Sequence, residues 1–447
     1  MRKLAPVIII VFVYLVVGSL YAVKTPDWQA PDEPAHYNYI RQLANGRLPI
    51  MELGDYDEEY RSEIVSSRFA PQYDIAPLTY EDWQPPLYYL LQTPIYLLTG
   101  GSLTALRLFS VLLGVGVVIL AFGIARLLFP AQEWVAWTTA VFVAFLPQHL
   151  AILASTNNDA LAELLIAALL ILLIKWSQQP RTADSATLPL SIGVLLGLGF
   201  LTKGTVYLMT AVVAVVLLWR CWGQWGKLIH NGLRIFVPAF LLGALWWGRN
   251  SLLYGGLDIL GKTRHDSVVI GQIRTAQWIA EYGLAETGRR FAQTSFNSFW
   301  GQFGWMALPM LNPPWLYPLL WLLTGTAASG LILAFFIWPK NKDTSRKTSL
   351  LTLALIIPVF LFGLTAALHI GYNLTFVQHQ GRYLFPALIP IGLGMAVGLG
   401  AWGLLLTRPL ASRFPSLLYL LPLSLGLALV AIDIYMLFRF IVPELSA

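Results

Sequence analysis

The chain has 447 residues, of which 57% are hydrophobic and only 12% are charged, and its mean hydropathy is +0.64. Soluble domains carry about 25% charged residues, so this composition excludes an ordinary soluble protein. The net charge of +6 does not indicate nucleic-acid binding, because an excess of Lys and Arg in a membrane protein usually reports its orientation. With a single cysteine, Cys221, no intrachain disulfide can form.

Apolar runs recur along the whole chain, and each is long enough to cross a hydrocarbon core of about 30 Å. Backbone polar groups must be satisfied internally in lipid, so these runs are predicted to be α-helices. The runs lack the alternating polarity of a porin-type barrel. We therefore predict an all-α polytopic membrane helix bundle, with an uncleaved first helix and about eleven transmembrane helices. The predicted spans cover residues 4–22, 103–128, 133–151, 158–175, 187–202, 204–220, 233–249, 315–338, 349–369, 384–405 and 416–438.

The charged residues orient these spans. The short connections on one side are rich in Lys and Arg, including Arg2 and Lys3 and the cluster at 340–347, so the positive-inside rule makes that side cytoplasmic. The same connections hold only three of the 23 acidic residues, Glu133, Asp184 and Asp343. The N-terminus is therefore predicted to be cytoplasmic and the C-terminus to lie outside.

Two long connections, residues 23–101 and 250–314, fall on the outer side. The inner connections are too short for a folded catalytic domain, so any chemistry is expected outside, at the outer leaflet. We predict two modules: residues 1–256, which contain the first outer loop, and residues 257–447, which contain most of the second.

The first outer loop opens with an acidic pair, Asp32 and Glu33, followed by Pro34. Proline suits the first turn of a helix, so a short amphipathic helix is predicted from there to about Asn45. The pair stands at its N-terminus, where the helix dipole favours carboxylates, and His36, four residues after Asp32, faces the same way. Helix capping alone explains such a pair. Its position beside a membrane span and among aromatic residues also makes it a candidate catalytic site.

A second acidic and aromatic cluster precedes the proline pair Pro85-Pro86. The prolines force an extended approach, and the apolar run at 87–98 that follows is too short to cross the membrane. We expect that run to form a helix along the outer interface. The polar side chains of both clusters are candidate substrate ligands: His36, Tyr37, Glu81, Asp82 and Gln84.

Three cations stand at the outer ends of predicted spans: Lys203, Arg249 and Arg382. Each alone is explained by a side chain that extends to the interface. If all three converge, they form a site for an anionic group, because Arg offers a bidentate fork for phosphate and Lys a point charge. Carboxylates, cations and aromatic residues at the lipid boundary suit a substrate that is itself a lipid phosphate.

This constellation resembles the GT-C superfamily of polyprenyl-phosphate-dependent glycosyltransferases, which includes protein O-mannosyltransferases and lipid A aminoarabinose transferases. The segments at 31–40, 299–305 and 380–386 are closer still to a mostly uncharacterised group of bacterial membrane proteins thought to share that fold. Gln84 departs from the pattern, since relatives often have His or Lys there. The matching motifs are Asp32-Glu33, Pro85-Pro86-Leu87, Leu106-Arg107-Leu108, Asn157-Asn158-Asp159, Lys203-Gly204 and Arg249-Asn250.

The resemblance implies transfer of a sugar, with inversion, from a polyprenyl phosphate to a hydroxyl acceptor outside the cytoplasm of a bacterium, at the inner membrane. Asp32 is then the general base, and Glu33 orients the acceptor or shares that role. Lys203, Arg249 and Arg382 hold the donor phosphate. No cofactor is required, and a divalent metal is left open at His36, Glu81 or Asp82. The implied substrate-binding residues are His36, Tyr37, Glu81, Asp82, Gln84, Asp159 and Gln380.

Two other classes of function stay open. A transporter or lipid flippase places ionisable residues near the middle of the bilayer, where Glu163 and Asp433 are the candidates. An O-antigen-type ligase or polymerase also uses outer-loop arginines and lipid carriers, but its main loop is expected late in the chain.

Overall fold

The structure, a computed structural model, describes residues 5–180, 186–337, 347–407 and 416–446. Over these ranges the chain is a bundle of α-helices with one two-stranded antiparallel sheet. Eight helices in these ranges are long and apolar enough to cross a membrane, or nine if one bent pair is counted as a single span. The protein is therefore a multi-pass membrane protein, as predicted.

The first half of the chain holds eleven α-helices and one 3₁₀ helix, Gly204–Tyr207. The α-helices are α1 (Ala5–Lys24), α2 (Glu33–Ala44), α3 (Glu58–Ser66), α4 (Leu87–Thr99), α5 (Leu103–Leu128), α6 (Glu133–Phe145), α7 (Pro147–Leu153), α8 (Asp159–Gln178), α9 (Thr187–Phe200), α10 (Leu208–Arg220) and α11 (Trp225–Tyr254).

The second half adds helices and the short hairpin of strands β1 (Gln302–Phe303) and β2 (Leu308–Pro309), in which Gln302 pairs with Pro309. Two 3₁₀ helices, Gly381–Ala387 and Leu417–Tyr419, and a π-helical turn, Leu437–Ile441, also lie here. The α-helices are α12 (Lys262–Val268), α13 (Thr275–Tyr282), α14 (Leu284–Trp300), α15 (Leu316–Ile337), α16 (Lys347–Asn373), α17 (Leu388–Thr407), α18 (Leu420–Met436) and α19 (Val442–Leu445).

Every predicted span coincides with a helix or a helix pair. The span predicted at 133–151 is broken, because α6 and α7 meet at an angle of 62° in front of Pro147. Helix α9 and the segment Gly204–Arg220 are shorter than a full crossing, so the predicted number of eleven spans stays a prediction. Several charges used to orient the spans lie outside the described residues: Arg2, Lys3, Arg181, Asp184, Lys340, Lys342, Asp343, Arg346, Arg408 and Arg413.

Glycine residues allow the closest helix crossings of the bundle. A Cβ at Gly193 of α9 would overlap the carbonyl of Ile235 in α11, and a Cβ at Gly398 of α17 would overlap the carbonyl of Ala327 in α15. Small residues at such crossings let helices approach closely in lipid, where van der Waals packing drives association. These crossings hold α9, which leads to Lys203, and α17, which follows the 3₁₀ helix that carries Arg382.

Two helices of the first outer loop pack against each other, namely α2 and α4. The rings of Tyr39 on α2 and Tyr89 on α4 stack with centroids 3.8 Å apart. Helix α2 has Pro34 in its first turn and α4 follows Pro86, so both helices begin within a residue of where the prolines predict. Their packing fixes the first turn of α2, and with it the position of Asp32.

Candidate active site

The carboxylate of Asp32 does not cap helix α2, which excludes helix capping as the explanation of this residue. Asp32 occupies the N-cap position, but its side chain makes no capping hydrogen bond. Its Oδ2 instead accepts a hydrogen bond from Nη2 of Arg382 at 2.6 Å, and its Oδ1 accepts one from the Tyr80 hydroxyl at 3.1 Å. The backbone of Asp32 is left-handed, with φ of +67°, a conformation that is uncommon for residues other than glycine and recurs at functional sites.

A second ion pair lies in the same cluster. Nζ of Lys203 is 2.6 Å from Oδ1 of Asp159, the first residue of α8. The charge of Arg382 also acts on Asp159, so the two ion pairs share one electrostatic environment. Exposed fractions of the four side chains lie between 10% for Arg382 and 23% for Asp32 and Asp159, so both pairs are reachable by a ligand and shielded from bulk water.

The ion pair with Arg382 sets the protonation of Asp32. Burial opposes ionisation of this carboxyl, but the guanidinium of Arg382, which donates a hydrogen bond to it, holds its pKa below the usual value. Asp32 is therefore a carboxylate at neutral pH, able to accept a proton but only weakly basic.

His36 is a neutral ring close to the two ion pairs. Its Nδ1 is 2.8 Å from the Tyr89 hydroxyl, and 2% of the residue is exposed. Burial first, and the charge of Lys203 second, lower the pKa of His36 to about 3. Within the described residues no group of three or more His, Cys, Asp and Glu side chains is arranged to hold a metal ion. The expectation that no cofactor is required stays a prediction.

Glu81 joins the cluster through a chain of amides. Nε2 of Gln84 donates to Oε2 of Glu81 at 2.8 Å, and Nδ2 of Asn158 donates to Oε1 of Gln84 at 3.3 Å. Partial burial, followed by the charge of Asp32, raises the pKa of Glu81 to about 8. Glu81 is therefore mainly protonated at neutral pH, and the cluster has two carboxylates matched by two cations. Gln84 acts as a bridge between Glu81 and Asn158.

Several buried polar atoms around the ion pairs have no hydrogen-bond partner in the described part of the chain. They are Nε of Arg382, Oδ1 of Asn158 and Oε1 of Gln380. Asn158 is fully buried, and the Gln380 amide makes one hydrogen bond, from Nε2 to Oε1 of Gln378 at 3.2 Å. Buried polar groups are normally paired, so unpaired donors and acceptors near two ion pairs are what a polar ligand needs.

Glu33 has a different environment from Asp32, although the two are adjacent. Its oxygens accept hydrogen bonds from Nε and Nη2 of Arg107 at 2.8 and 2.6 Å, and one of them also accepts from the Thr156 backbone at 3.0 Å. Glu33 is 0% exposed, so it has no surface from which to touch an acceptor. This geometry does not fit the contact with an acceptor that the resemblance implies for Glu33, because its carboxylate is enclosed by Arg107 and the Thr156 backbone. Arg107 also donates to the carbonyls of Ala22, Thr25 and Pro26, and so ties α1 to α2.

Arg249 does not join the two ion pairs, contrary to the predicted convergence of three cations. Its guanidinium lies 4.6 Å from the centroid of the Trp246 ring and donates to the carbonyl of Pro49 and to the side chain of Asn250. These contacts secure the first outer loop to the end of α11. The reason is local, because Trp246 lies one turn before Arg249 on the same helix face and draws the guanidinium over its ring.

Two predicted substrate ligands also have partners elsewhere. Asp82 is 2% exposed and accepts from Nε2 of Gln42 at 2.8 and 3.0 Å, and burial raises its pKa to about 8. The Tyr37 hydroxyl donates to the carbonyl of Gly101 at 2.8 Å, and the Tyr37 ring packs edge-on against Trp28. Both side chains hold the first outer loop together.

Aromatic residues that the sequence did not single out complete the site. Tyr80 bonds Asp32 directly, and the rings of Tyr372 and Tyr383 lie 6.0 Å apart beside Arg382, whose guanidinium is 5.8 Å from the Tyr383 ring. The charges of Glu81 and Asp32 act on Tyr372, which places it at the same cluster. In the sequence, Tyr372 could have been found only from its place at the end of α16, directly before the segment that contains Gln380 and Arg382.

The two carboxylates that a transporter would use have separate surroundings. Glu163 follows Asp159 by one turn on α8, and its Oε2 is 2.7 Å from Nε2 of the buried His149. Asp433 is fully buried, and neither of its oxygens finds a hydrogen-bond partner in the described ranges. Among the described residues, no contact joins Glu163 and Asp433 into a transport path.

Comparison with solved structures defines the class of fold. The chain is similar to ArnT from Cupriavidus metallidurans bound to undecaprenyl phosphate, with a TM-score of 0.50, 17% identity, and coverage of 99% of this chain and 74% of ArnT. The apo state of that enzyme gives a TM-score of 0.50 at 16% identity, with coverage of 100% and 74%. The fold is the GT-C glycosyltransferase fold, which confirms the predicted resemblance.

A protein-family comparison agrees with this fold. Residues 83–247 match the family described as dolichyl-phosphate-mannose-protein mannosyltransferase, a match that covers less than half of the chain and includes Gln84, Asp159 and Lys203. The S. cerevisiae Pmt1–Pmt2 complex bound to the sugar donor has a TM-score of 0.38 at 19% identity, over 60% of this chain and 34% of that one, a likeness too weak to bear on function. No curated protein sequence matches the chain.

Proposed function

We propose that the protein is an inverting glycosyltransferase that moves a sugar from a polyprenyl phosphate to an acceptor hydroxyl on the non-cytoplasmic side of the membrane. One observation carries the proposal: a carboxylate, Asp32, lies in direct contact with a cation, Arg382, in a cluster that also holds Lys203 and unpaired polar atoms. A base beside phosphate ligands is what transfer from a phosphate donor requires. The GT-C fold, the matched mannosyltransferase family and the undecaprenyl phosphate bound to ArnT support this substrate class.

The reaction is a single displacement at the anomeric carbon. The acceptor oxygen attacks that carbon, the bond from the carbon to the phosphate oxygen breaks, and the bonding electrons leave with the polyprenyl phosphate. The proton of the acceptor hydroxyl passes to Oδ of Asp32. Arg382 and Lys203 stabilise the charge that grows on the leaving phosphate. Asp159 contacts the sugar and Gln380 contacts the sugar or the phosphate, whereas Glu33, Gln84 and the fully buried Asn158 position their neighbours.

A carboxylate with a lowered pKa is a weak base, and this mechanism tolerates one. If the bond to the phosphate is largely broken before the acceptor attacks, the sugar carbon is strongly cationic and the attacking hydroxyl becomes acidic late. Most of the catalysis then comes from the electrostatic environment of the leaving phosphate, to which Arg382 and Lys203 contribute.

The protein lies in the inner membrane of a bacterium, with its N-terminus in the cytoplasm and its active site on the periplasmic or extracellular side. The distribution of Lys and Arg among the short connections supports this orientation. Undecaprenyl phosphate is then the carrier, and the membrane itself presents the donor.

The test uses purified protein in lipid nanodiscs with a panel of undecaprenyl-phosphate sugars and cell-envelope extract as the acceptor source. Mass spectrometry follows loss of the donor and appearance of free undecaprenyl phosphate. We expect one donor to be consumed by the wild type. The proposal fails if every donor stays intact while the protein moves lipid-linked sugar across a sealed bilayer, which is the flippase result. Consumption of pyrophosphate-linked donors alone would point to the ligase class.

A further inference from the structure

Both cations of the proposed phosphate site are bound to carboxylates of the protein. Arg382 Nη2 lies 2.6 Å from Asp32 Oδ2, and Lys203 Nζ lies 2.6 Å from Asp159 Oδ1. The two pairs come from four separate segments: the turn before α2, the start of α8, the turn after α9 and the 3₁₀ helix before α17. A donor phosphate that uses these cations must therefore compete with carboxylates of the protein.

We infer that Asp32 and Asp159 are placeholders for the donor phosphate, and that Arg382 and Lys203 exchange partners when the donor binds. Arg382 has a free donor for this exchange, because its Nε makes no hydrogen bond within the described ranges and is shielded from solvent. The inference rests on the proposed function and adds an order of events to it. The Asp32 carboxylate leaves its ion pair only in the donor complex, so the base becomes available after the sugar to be transferred is in place.

The exchange also accounts for two conflicting requirements at Asp32. Its negative charge must be compensated, and its carboxylate must be basic enough to take a proton. The ion pair with Arg382 keeps the largely buried carboxylate of Asp32 from being an uncompensated charge. When the phosphate takes over Arg382, Asp32 keeps the hydrogen bond from Tyr80 and loses its cation, which makes it more basic. An acceptor that binds before the donor finds the Asp32 carboxylate still paired with Arg382. The protein thereby avoids activating an acceptor or water without a donor.

Equilibrium binding of undecaprenyl phosphate in nanodiscs tests the exchange through a double-mutant cycle. Asp32→Asn removes the competing carboxylate and should tighten binding about tenfold, which corresponds to about 1.4 kcal/mol. Through-space repulsion between Asp32 and the phosphate would also tighten binding, so the same substitution is made in an Arg382→Gln background. If the competition passes through Arg382, the gain falls to less than about twofold there. Asp159→Asn with Lys203→Gln forms the second cycle.

Asp55→Asn serves as the matched control, because Asp55 is an outer-loop carboxyl whose partner is the Thr79 hydroxyl at 2.9 Å rather than a cation. This change should leave the affinity for undecaprenyl phosphate unaltered. Thermal unfolding of each variant confirms that the fold is kept. The exchange is overturned if Asp32→Asn gives no gain, or if the gain is undiminished in the Arg382→Gln background. If the wild type binds no undecaprenyl phosphate at all, the proposed function fails together with the exchange.

Discussion

Nη2 of Arg382 lies 2.6 Å from Oδ2 of Asp32 across 350 residues of sequence. This contact joins the first outer loop to the 3₁₀ helix before α17 and brings the proposed base and a proposed phosphate ligand together. In the other half of the cluster, Lys203 meets Asp159 at the same distance. The site is therefore built from both halves of the chain, and its parts depend on contacts that can be broken one at a time.

Removal of Arg107 should destabilise the protein strongly. Arg107→Met leaves the fully buried carboxylate of Glu33 without its cation, and such a change costs about 3–5 kcal/mol. The measurement is thermal unfolding in detergent. Glu33→Gln combined with Arg107→Met should recover part of the loss, because no buried charge is then left alone.

Arg289→Met is the matched control for this prediction, since Arg289 pairs with Glu286 on an exposed face of α14. Surface pairs contribute little, so no clear change in unfolding temperature is expected. An equal loss of stability in both variants would contradict the assigned role of Arg107.

Gly381→Ala should displace Arg382. A Cβ at Gly381 would overlap the backbone of Ser295 and Phe299 on α14, and neither backbone can move aside as a side chain would. We expect a loss of about 1–3 kcal/mol in stability and weaker binding of undecaprenyl phosphate. Gly371→Ala is the control, because a Cβ at Gly371 meets no atom of the described residues within 4 Å. Tight lipid binding by the Gly381→Ala variant would show that the position of Arg382 does not matter.

The two short helices beside the site, α2 and α4, were predictable because prolines mark where each of them begins. Pro34 and the pair Pro85-Pro86 fix where α2 and α4 begin, so the sequence predicts both helices to within about two residues. The position of Asp32, Lys203 and Arg382 beside the ends of helices follows from the lengths of the apolar runs next to them. These features depend on a few neighbouring residues and need no knowledge of the packed bundle.

The partners of these residues were not predictable. Which carboxylate meets which cation depends on the rotation and tilt of helices that are set by packing elsewhere, such as the crossing at Gly398. Arg249, like Arg382, stands at one end of a predicted span, yet its guanidinium lies over Trp246, and Glu33 lies beside Asp32 yet pairs with Arg107. Adjacent residues at a helix start point in different directions, so the two members of the acidic pair have different partners, Arg382 for Asp32 and Arg107 for Glu33.

Arg249 and Arg382 should differ in their effect on donor binding. Arg382→Gln removes a proposed phosphate ligand and should weaken binding of undecaprenyl phosphate about tenfold or more, since hydrogen bonds to charged groups are worth about 1.5–3 kcal/mol. Arg249→Gln removes a loop contact to Pro49 and should change the affinity less than threefold while it lowers the unfolding temperature. Equal losses of affinity in Arg382→Gln and Arg249→Gln would show that Arg249 also binds the phosphate.

Binding of the lipid phosphate should weaken as the pH rises from 7 to 9. Burial and the charge of Asp32 raise the pKa of Glu81 to about 8, so Glu81 is neutral below that pH and adds a negative charge above it. The added charge repels the phosphate, whose own second ionisation, with a pKa of about 6, is about 90% complete at pH 7 and so changes little over this range. Glu81→Gln should flatten the affinity between pH 7 and 9.

Asp82→Asn provides the control for the pH dependence. The pKa of Asp82 is also raised to about 8, by burial, but its carboxyl is bonded to Gln42 away from the ion pairs. The variant should keep the same fall in affinity as the wild type. If Asp82→Asn, and not Glu81→Gln, removed the pH dependence, the titrating group would be misassigned.

The most direct test of the central claim is to measure sugar transfer and lipid-phosphate binding side by side in Asp32→Asn. Asparagine keeps the size of the side chain but cannot take the acceptor proton, and general-base catalysis contributes about 10²–10⁴-fold. We expect the rate of undecaprenyl phosphate release from the sugar donor to fall by at least about a hundredfold, while the affinity for the lipid phosphate rises about tenfold above that of the wild type. Release at the wild-type rate by Asp32→Asn would contradict the assignment of Asp32 as the base.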